Sequence, residues 1–291
     1  MKLLHKIFRF TVILLILALI AGIVYVAMFK EEPVKEEARK QAQHITKKPV
    51  PAKPTEVSKK PPAAPASRRE VAVIIDDTGG DLGVAKEFLK IKANLTFAVL
   101  PFQAHSREAA DLIHKAKRET LLHLPMEPVS YPREKPGEGA MFTDMNDEET
   151  LLQLKKDIAA VPHIVGVNNH MGSKFMNDEK KLSLIFKELK KQNLFFVDSR
   201  TSPDSKAAAA AKKARLNMAE RKIFIDNRRD YKEIYNILIN VANSDDPSPK
   251  IIIGHPYPET ARALQDAADV FRKDGISIVP VSRIIKETKT F

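Results

Sequence analysis

The sequence predicts an α/β protein whose folded part is a closed or nearly closed (β/α) barrel of about seven to eight parallel strands, preceded by a membrane anchor helix and a linker. Three observations support this prediction. An uncharged apolar segment near the N-terminus is long enough to cross a bilayer, and a segment rich in Pro and Lys follows it. Beyond that, short apolar segments alternate with amphipathic ones to the end of the chain, as parallel βαβ units require.

The first element is the apolar segment of residues 10–29, which contains no charged side chain. A bilayer core needs roughly 20 apolar residues in a helix, so we interpret this segment as an uncleaved signal anchor and not as a buried core helix. Residues 1–9 are then the cytoplasmic N-terminus. Basic residues flank both ends, so the positive-inside rule leaves the orientation open, but long domains translocate largely regardless of nearby charge. We therefore expect a single-pass protein of the cell membrane with an extracytoplasmic C-terminal domain.

The second element, residues 30–69, is rich in Lys, Pro and Ala, lacks apolar periodicity and predicts a semi-extended linker. Residues 1–69 hold 14 of the 48 basic residues but only 5 of the 37 acidic ones, so residues 70–291 carry a net charge of only +2. This near balance argues against a nucleic-acid-binding domain. The linker itself is either a solubilising spacer or a segment attracted to anionic lipid or cell-wall polymer. The absence of cysteine excludes disulfides and thiolate zinc sites.

The third element is the predicted domain of residues 70–291. The segments "DEETLLQLKKDIAAV" and "NDEKKLSLIFKELKKQN" have helical periodicity and begin with the acidic or Asn residues typical of helix N-termini. A doubly wound open sheet is the alternative to the barrel. Eight apolar segments are the predicted strands: Val71–Ile75, Leu95–Leu100, Thr120–Leu124, Ile164–Val167, Leu194–Val197, Lys222–Ile225, Ile251–Ile253 and Ile276–Val279.

Polar side chains follow most of these strands directly. In barrels and doubly wound sheets the active site is built at the C-terminal ends of the strands, so we expect these side chains to meet at one rim. Three of them are histidines, which favours a functional site over scattered surface residues. The residues at the strand ends are Asp76, Asp77, His123, Asn168, Asn169, His170, Asp198, Asp226, Asn227 and His255.

The paired aspartates Asp76 and Asp77 need an explanation, because two adjacent carboxylates after a buried strand repel each other and are costly to desolvate. A strand-to-loop turn explains Gly79 and Gly80 but not two acids. Two or three histidines with an aspartate, and no cysteine, are typical of a site for zinc or another divalent metal. One carboxylate can bind the cation while its neighbour serves as a general base, and a histidine across the rim can donate a proton to a leaving group.

Six motifs in order resemble the divergent polysaccharide deacetylase family over about residues 70–285. The resemblance implies a distorted (β/α) barrel on the extracytoplasmic side and a place among the metal-dependent enzymes that remove N- or O-acetyl groups from chitin, peptidoglycan or similar glycans. The motifs are "IIDDTGG", "LLHLPMEP", "GVNNHMGSKF", "FFVDSRT", "IFIDN" and "IIIGHPYPET".

The resemblance also implies roles for individual residues. Asp76 matches the general base and Asp77 a metal ligand of the family's first motif. His255, after the apolar segment "IIIG", matches the general acid. Asp198 matches the position that orients a catalytic neighbour.

The second motif of the chain departs from the family pattern, in which two metal-binding histidines stand four residues apart. Here His123 is followed four residues later by Glu127. Either Glu127 replaces the second histidine or His170 completes the metal site. We favour His170, because a proline within "HLPME" prevents a helical i,i+4 pair. Further candidate site residues are Asn168, Asn169 and Arg200.

Three functions are compatible with these residues. The favoured one is a membrane-tethered, metal-dependent deacetylase of a cell-envelope glycan, with zinc as the expected metal. The second is a metal-dependent hydrolase of a different bond. The third is a non-catalytic glycan- or protein-binding module that has kept the fold.

The anchor assignment predicts where the protein is found. The full chain should stay in the membrane pellet after alkaline extraction, because residues 10–29 cross the bilayer. Protease added to spheroplasts should remove the C-terminal domain, as followed by immunoblotting. Protection of that domain from the protease would reverse the orientation.

Overall fold

The computed structural model of the chain describes residues 69–287. The predicted anchor of residues 10–29, and all of the predicted linker except Arg69, lie outside the described residues. Within residues 69–287, no helix combines the length and the apolar character that a membrane span requires. The described part thus corresponds to the predicted domain.

Nine parallel strands form one curled sheet. From one edge to the other the order is β6-β5-β4-β3-β2-β1-β8-β7, and β9 pairs with the first three residues of β1. The strands follow one another around the sheet in a single direction, and β6 and β7 are its two edges. This is a distorted (β/α) barrel that stays open between β6 and β7, and not a doubly wound sheet. The strands are β1 (Arg69–Thr78), β2 (Thr96–Val99), β3 (Glu119–Met126), β4 (Ile164–Met171), β5 (Phe195–Asp198), β6 (Met218–Glu220), β7 (Ile223–Phe224), β8 (Lys250–Gly254) and β9 (Ile276–Ile278).

All eight predicted strands are present, and the sequence misses only β6. This strand has three residues and ends in a glutamate, so it has no apolar segment long enough to stand out. It pairs with β5 through Phe196, Val197 and Asp198, which places it at the open edge of the barrel.

Helices connect the strands and cover the outside of the sheet. The two helices expected from their periodicity are α3 and α4. In α3, Asn146 and Glu149 form a reciprocal capping box, and Asp178 caps α4 through the backbone N–H of Lys181. The described helices are α1 (Leu82–Leu89), α2 (Ser106–Lys115), α3 (Asp147–Ala160), α4 (Glu179–Lys191), α5 (Ala207–Ala214), α6 (Tyr231–Ala242), α7 (Pro258–Lys273) and α8 (Val281–Glu287).

The apolar core has two layers, one on each face of the sheet. The outer layer lies between the strands and the helices, and in β1 it includes Val73 and Ile75. The inner layer fills the N-terminal half of the barrel, where Ala72 and Ile74 of β1 pack with Ile284 of α8. Helix α8 thus closes the N-terminal end of the barrel. Inward-facing side chains further along the strands lie beyond this apolar plug, at the C-terminal rim.

One buried carboxyl group lies away from that rim. Asp157 of α3 has no exposed surface. Its Oδ1 accepts a hydrogen bond from Gln153 at 2.8 Å, whereas its Oδ2 has no hydrogen-bond partner among the described residues. Gly139 packs so closely that a Cβ at that position would lie 2.6 Å from Oδ1. Burial raises the pKa of the Asp157 carboxyl to about 8, against the opposing effects of Gln153 and Lys156.

This carboxyl group predicts a pH-dependent stability. Because the pKa of Asp157 is raised in the folded state, the folded protein keeps a proton that the unfolded chain loses above its ordinary pKa. The free energy of unfolding should therefore fall by about 1.4 kcal/mol per pH unit until the pH passes about 8. Asp157→Asn should raise Tm strongly at pH 9 and little at pH 5, measured by thermal unfolding.

Asp144→Asn, the same change at an exposed position, is the matched control and should leave Tm nearly unchanged at both pH values. An equal effect of Asp157→Asn on Tm at pH 5 and pH 9 would contradict a buried, protonated Asp157.

Candidate metal centre

The end of β1 places two successive carboxylates on the same side of the sheet. In a regular strand successive side chains point to opposite faces, and Asp76 follows Ala72 and Ile74 toward the barrel interior. Asp77 would then point outward. Instead it has a left-handed backbone (φ 53°), and the pairing of β1 with β2 shifts between Ile75 and Thr78. This irregularity turns the Asp77 side chain to the same rim as Asp76.

Three donor atoms from three strands converge at this rim. Asp77 Oδ1 lies 3.1 Å from His123 Nε2 and 3.0 Å from His170 Nδ1, and the two imidazole nitrogens are 3.2 Å apart. Asp77 Oδ1 is itself buried, and within the described residues it has no polar partner other than these two imidazole nitrogens. The three atoms form a nearly equilateral triangle.

Asn168 fixes the proton positions beside this triangle. Its amide oxygen lies 2.9 Å from His123 Nδ1, and its amide nitrogen donates to Asp76 Oδ1 at 2.8 Å. An amide oxygen only accepts hydrogen bonds, so His123 Nδ1 carries a proton and Nε2 faces Asp77 and His170. The Asn168 side chain therefore orients the ring of His123 and the carboxylate of Asp76 together.

The charges at the rim shift the pKa values of its residues strongly. Burial opposes the imidazolium form of His123, but the Asp76 and Asp77 carboxylates outweigh it and raise the pKa of His123 to about 9. Burial also opposes the Asp77 carboxylate, yet His123 and His170 hold the pKa of Asp77 well below its usual range. Burial dominates at Asp76 and raises its pKa. Without a cation, a proton on His123 balances part of the negative charge of the pair.

His255 faces the same rim from the end of β8. Its Nε2 lies 3.8 Å from Asp77 Oδ2, and its Nδ1 lies 3.0 Å from Asp226 Oδ1. Because a carboxylate only accepts, Nδ1 donates to Asp226 and Nε2 is directed to the site. Burial lowers the pKa of His255, but the hydrogen bond that His255 donates to Asp226 and the charge of Asp77 raise it overall.

Asp226 holds the ring of His255 in position, a role that the sequence did not predict. Its Oδ2 accepts hydrogen bonds from the His255 backbone N–H at 2.5 Å and from Thr260 Oγ1 at 2.8 Å. Gly254 lies directly beside this carboxylate, since a Cβ there would lie 3.2 Å from Asp226 Oδ2 and 2.9 Å from the Ile225 side chain. The sequence shows Asp226 at the end of the motif "IFID", directly after a predicted strand. No residue pattern there indicated that its partner is His255.

Asp198, expected to orient a catalytic neighbour, does not reach His255. Asp198 comes directly after Val197, whose side chain points into the barrel, so the Asp198 side chain points to the outer face of β5. Its carboxylate accepts hydrogen bonds from the Arg200 backbone N–H at 2.7 Å and from Ser205 at 2.6 Å. Asp198 thus fixes the loop after β5, while Asp226 holds the position next to His255.

The other candidate residues also have structural partners away from the triangle. Glu127 accepts hydrogen bonds from Thr143 and forms an ion pair with Lys174 at 2.7 Å, so it is His170 that joins Asp77 and His123. The Asn169 amide hydrogen-bonds around the loop after β5, to Ser199, Thr201 and Met171. Arg200 lies 3.9 Å from Glu220.

Comparisons with known proteins identify the family of this chain. The family model described as divergent polysaccharide deacetylase matches residues 73–285, most of the chain. The chain belongs to the divergent polysaccharide deacetylase family. Among curated relatives, the uncharacterized protein YibQ of Escherichia coli K12 is 32% identical over 229 residues, which cover 77% of this chain and 70% of the relative.

A second curated relative of this chain, an uncharacterized protein of Haemophilus influenzae, is 29% identical over 205 residues, 68% of this chain and 71% of that protein. Among solved structures, the uncharacterized protein Atu2773 of Agrobacterium tumefaciens C58 superposes with a TM-score of 0.70 at 20% identity. The match covers 77% of this chain and 92% of that protein, and it supports the barrel fold.

The triangle in this family member fits a divalent cation. Atoms bound to one cation at about 2.1 Å lie roughly 3.0 to 3.4 Å apart, which matches the observed separations of 3.0 to 3.2 Å. The atoms available to bind a metal are one carboxylate oxygen and two imidazole nitrogens. Within the described residues, the buried Oδ1 of Asp77 has no polar partner besides these two nitrogens. Such a cation also replaces the proton on His123, so metal uptake releases protons.

The donor set predicts which variants lose the metal. Saturating the protein with a divalent metal at 100 times its Kd should stabilise it by about 2.7 kcal/mol. Asp77→Asn, His123→Ala and His170→Ala should each abolish the metal-dependent rise in Tm and the metal content measured after dialysis.

Glu127→Gln is the control, because Glu127 binds Lys174 and Thr143 and not the triangle. It should keep both the metal and the metal-dependent rise in Tm, whatever its effect on the metal-free protein. Loss of metal in Glu127→Gln with retention in His170→Ala would assign the third ligand to Glu127.

Proposed function

We propose that this domain is a metal-dependent hydrolase that removes acetyl groups from a glycan of the cell envelope, with zinc as its metal. One observation carries the proposal: the triangle of Asp77, His123 and His170 lies between a buried carboxylate, Asp76, and a carboxylate-bound imidazole, His255. These are the parts that hydrolysis of an amide or ester requires, namely a cation site, a base and an acid. Membership of the deacetylase family supports an acetylated glycan as substrate.

The chain supplies two groups that move protons beside the cation site. A bound divalent cation provides a Lewis acid that polarises the acyl carbonyl and lowers the pKa of water. Asp76 Oδ2, which lies 3.7 Å from His123 Nε2, takes the proton from the attacking water, and Asn168 holds the other oxygen of the carboxylate. The burial that raises the pKa of Asp76 makes it a stronger base than an exposed aspartate.

His255 completes the reaction from the other side of the site. Its Nε2 donates a proton to the nitrogen or oxygen of the sugar as the bond to the acyl carbon breaks, so the products are acetate and a free amine or hydroxyl group. Asp226 keeps Nδ1 protonated and the ring in place. It also stabilises the imidazolium that must be present before the proton is given up.

The location of this activity follows from the sequence. We propose that residues 10–29 anchor the chain in the cell membrane and that residues 30–69 tether the domain on the extracytoplasmic side. The length and lack of charge of residues 10–29 support this placement. An acetylated envelope glycan would then be within reach of the domain.

The proposed roles predict separable effects on metal binding and turnover. Asp76→Asn should retain the metal but lower the rate of acetate release from acetylated envelope glycans by about 10²- to 10⁴-fold, the usual contribution of a general base. His255→Gln should behave similarly. The measurements are acetate release by a coupled assay and metal content of the same samples.

Asp198→Asn is the matched control, the same change in a buried aspartate that does not contact the site. It should lower acetate release far less than Asp76→Asn does. If Asp76→Asn and the parent protein release acetate equally fast, Asp76 is not the base. If the metal-loaded parent releases none from any acetylated glycan, the deacetylase proposal fails.

A further inference from the structure

The end of the barrel opposite the metal centre has two clefts separated by α8. One, of about 710 Å³, lies among the N-terminal ends of β1 and β9 and the connections that lead into β2 and β3. The other lies along the N-terminal ends of β3, β4 and β5. We call the surface that these two clefts line the basic face, because of its charges.

Positively charged side chains predominate on the basic face. Only two carboxylates line the same clefts, and both are already engaged: Glu70 pairs with Arg283 at 2.5 Å, and Glu119 accepts hydrogen bonds from Ser282. The six basic residues that line the clefts are Lys92, Arg118, Lys190, Arg272, Arg283 and Lys286.

Several of these charges are not balanced by the protein. Within the described part of the chain, Lys92 and Lys190 contact no carboxylate, and Arg118 donates only to the neutral amide of Asn94 at 2.7 Å. Arg272 pairs with Asp269 at 2.9 Å, and helix dipoles explain the cations in the last turns of helices, namely Lys190, Arg272 and Lys286. They do not explain Lys92 and Arg118, which lie in the connections before β2 and β3.

The chain reaches the domain at this same face. Strand β1 begins at Arg69, so the upstream linker and the predicted anchor join the barrel at the end that carries the basic face. Asp245 and Asp274 line a separate cleft with Arg69 at this end of the barrel. The excess of positive charge is therefore confined to the side of this end that carries the basic face. The metal centre lies at the opposite ends of the strands. Attachment and positive charge therefore coincide at one end of the molecule, and chemistry at the other.

We propose that the basic face docks on the anionic headgroups of the membrane to which the chain is tethered. Clusters of Lys and Arg next to a membrane attachment bind anionic lipid, with a contribution that falls off within a Debye length of the surface. Docking by this face turns the metal centre away from the bilayer and toward the envelope. The inference is independent of the reaction catalysed at the metal centre.

The test measures which end of the domain lies near the lipid. The chain has no cysteine, so Ala116→Cys at the basic end and Val129→Cys at the exposed rim each give a single site for a fluorescent donor. The full chain is reconstituted into vesicles of phosphatidylcholine, alone or in equal mixture with phosphatidylglycerol, that contain an acceptor-labelled lipid. In the anionic vesicles, energy transfer from position 116 should exceed transfer from position 129 several-fold, and high salt should abolish the difference.

Charge reversal identifies the residues responsible. Each basic residue near an anionic surface contributes roughly a fivefold change in the docked population, so Lys92→Glu with Arg118→Glu should lower it more than tenfold. Lys86→Glu with Lys232→Glu, the same change on exposed helix faces without ion pairs, should leave the energy transfer unchanged. The proposal is overturned if both labels report equal transfer in anionic vesicles, if phosphatidylcholine alone gives the same pattern, or if the cleft variant behaves like its control.

Discussion

The structure depends on one electrostatic constraint, the need to balance two adjacent carboxylates at the end of a buried strand. Asp76 and Asp77 end β1 on the same side of the sheet, because a left-handed residue and a shift in pairing interrupt the alternation of the strand. Two carboxylates in this position are tolerated only when positive charge faces them. His123 and His255 face them, and the raised pKa of both histidines and the low pKa of Asp77 follow from this arrangement. The same charge balance makes the site suitable for a divalent cation.

The barrel separates packing from chemistry along its axis. Its N-terminal half is filled mostly by apolar side chains and closed by α8, whose first residues hydrogen-bond to Thr96 and Glu119 at the starts of β2 and β3. The C-terminal half is free to carry Asp76, His123 and His170, each held by a partner from another strand. The basic face extends this polarity to the outside of the molecule.

Much of this organisation could be predicted from the sequence, because strand ends and chemical types are local properties. The alternation of strands and helices predicted the barrel, and His123, His170 and His255 were recognised as residues at strand ends. Strand β6 was missed because three residues carry too little apolar signal. The partner of His255 was not predictable, because both faces of the strands are buried and the sequence does not reveal which face of β5 or β7 points inward. The inward orientation of the Asp77 side chain depends on its left-handed backbone and on the shift in strand pairing, and no residue type in the sequence predicts either of them.

The central claim is that Asp77, His123 and His170 bind one cation, with Asp76 and His255 beside it but not bound to it. The most direct measurement is anomalous diffraction from crystals of the zinc-loaded protein, recorded on both sides of the zinc absorption edge. We expect one strong anomalous peak within bonding distance of Asp77 Oδ1, His123 Nε2 and His170 Nδ1. A peak bound instead by Asp76 or Glu127, or no peak at the rim together with a short hydrogen bond between Asp77 and His123, would contradict it.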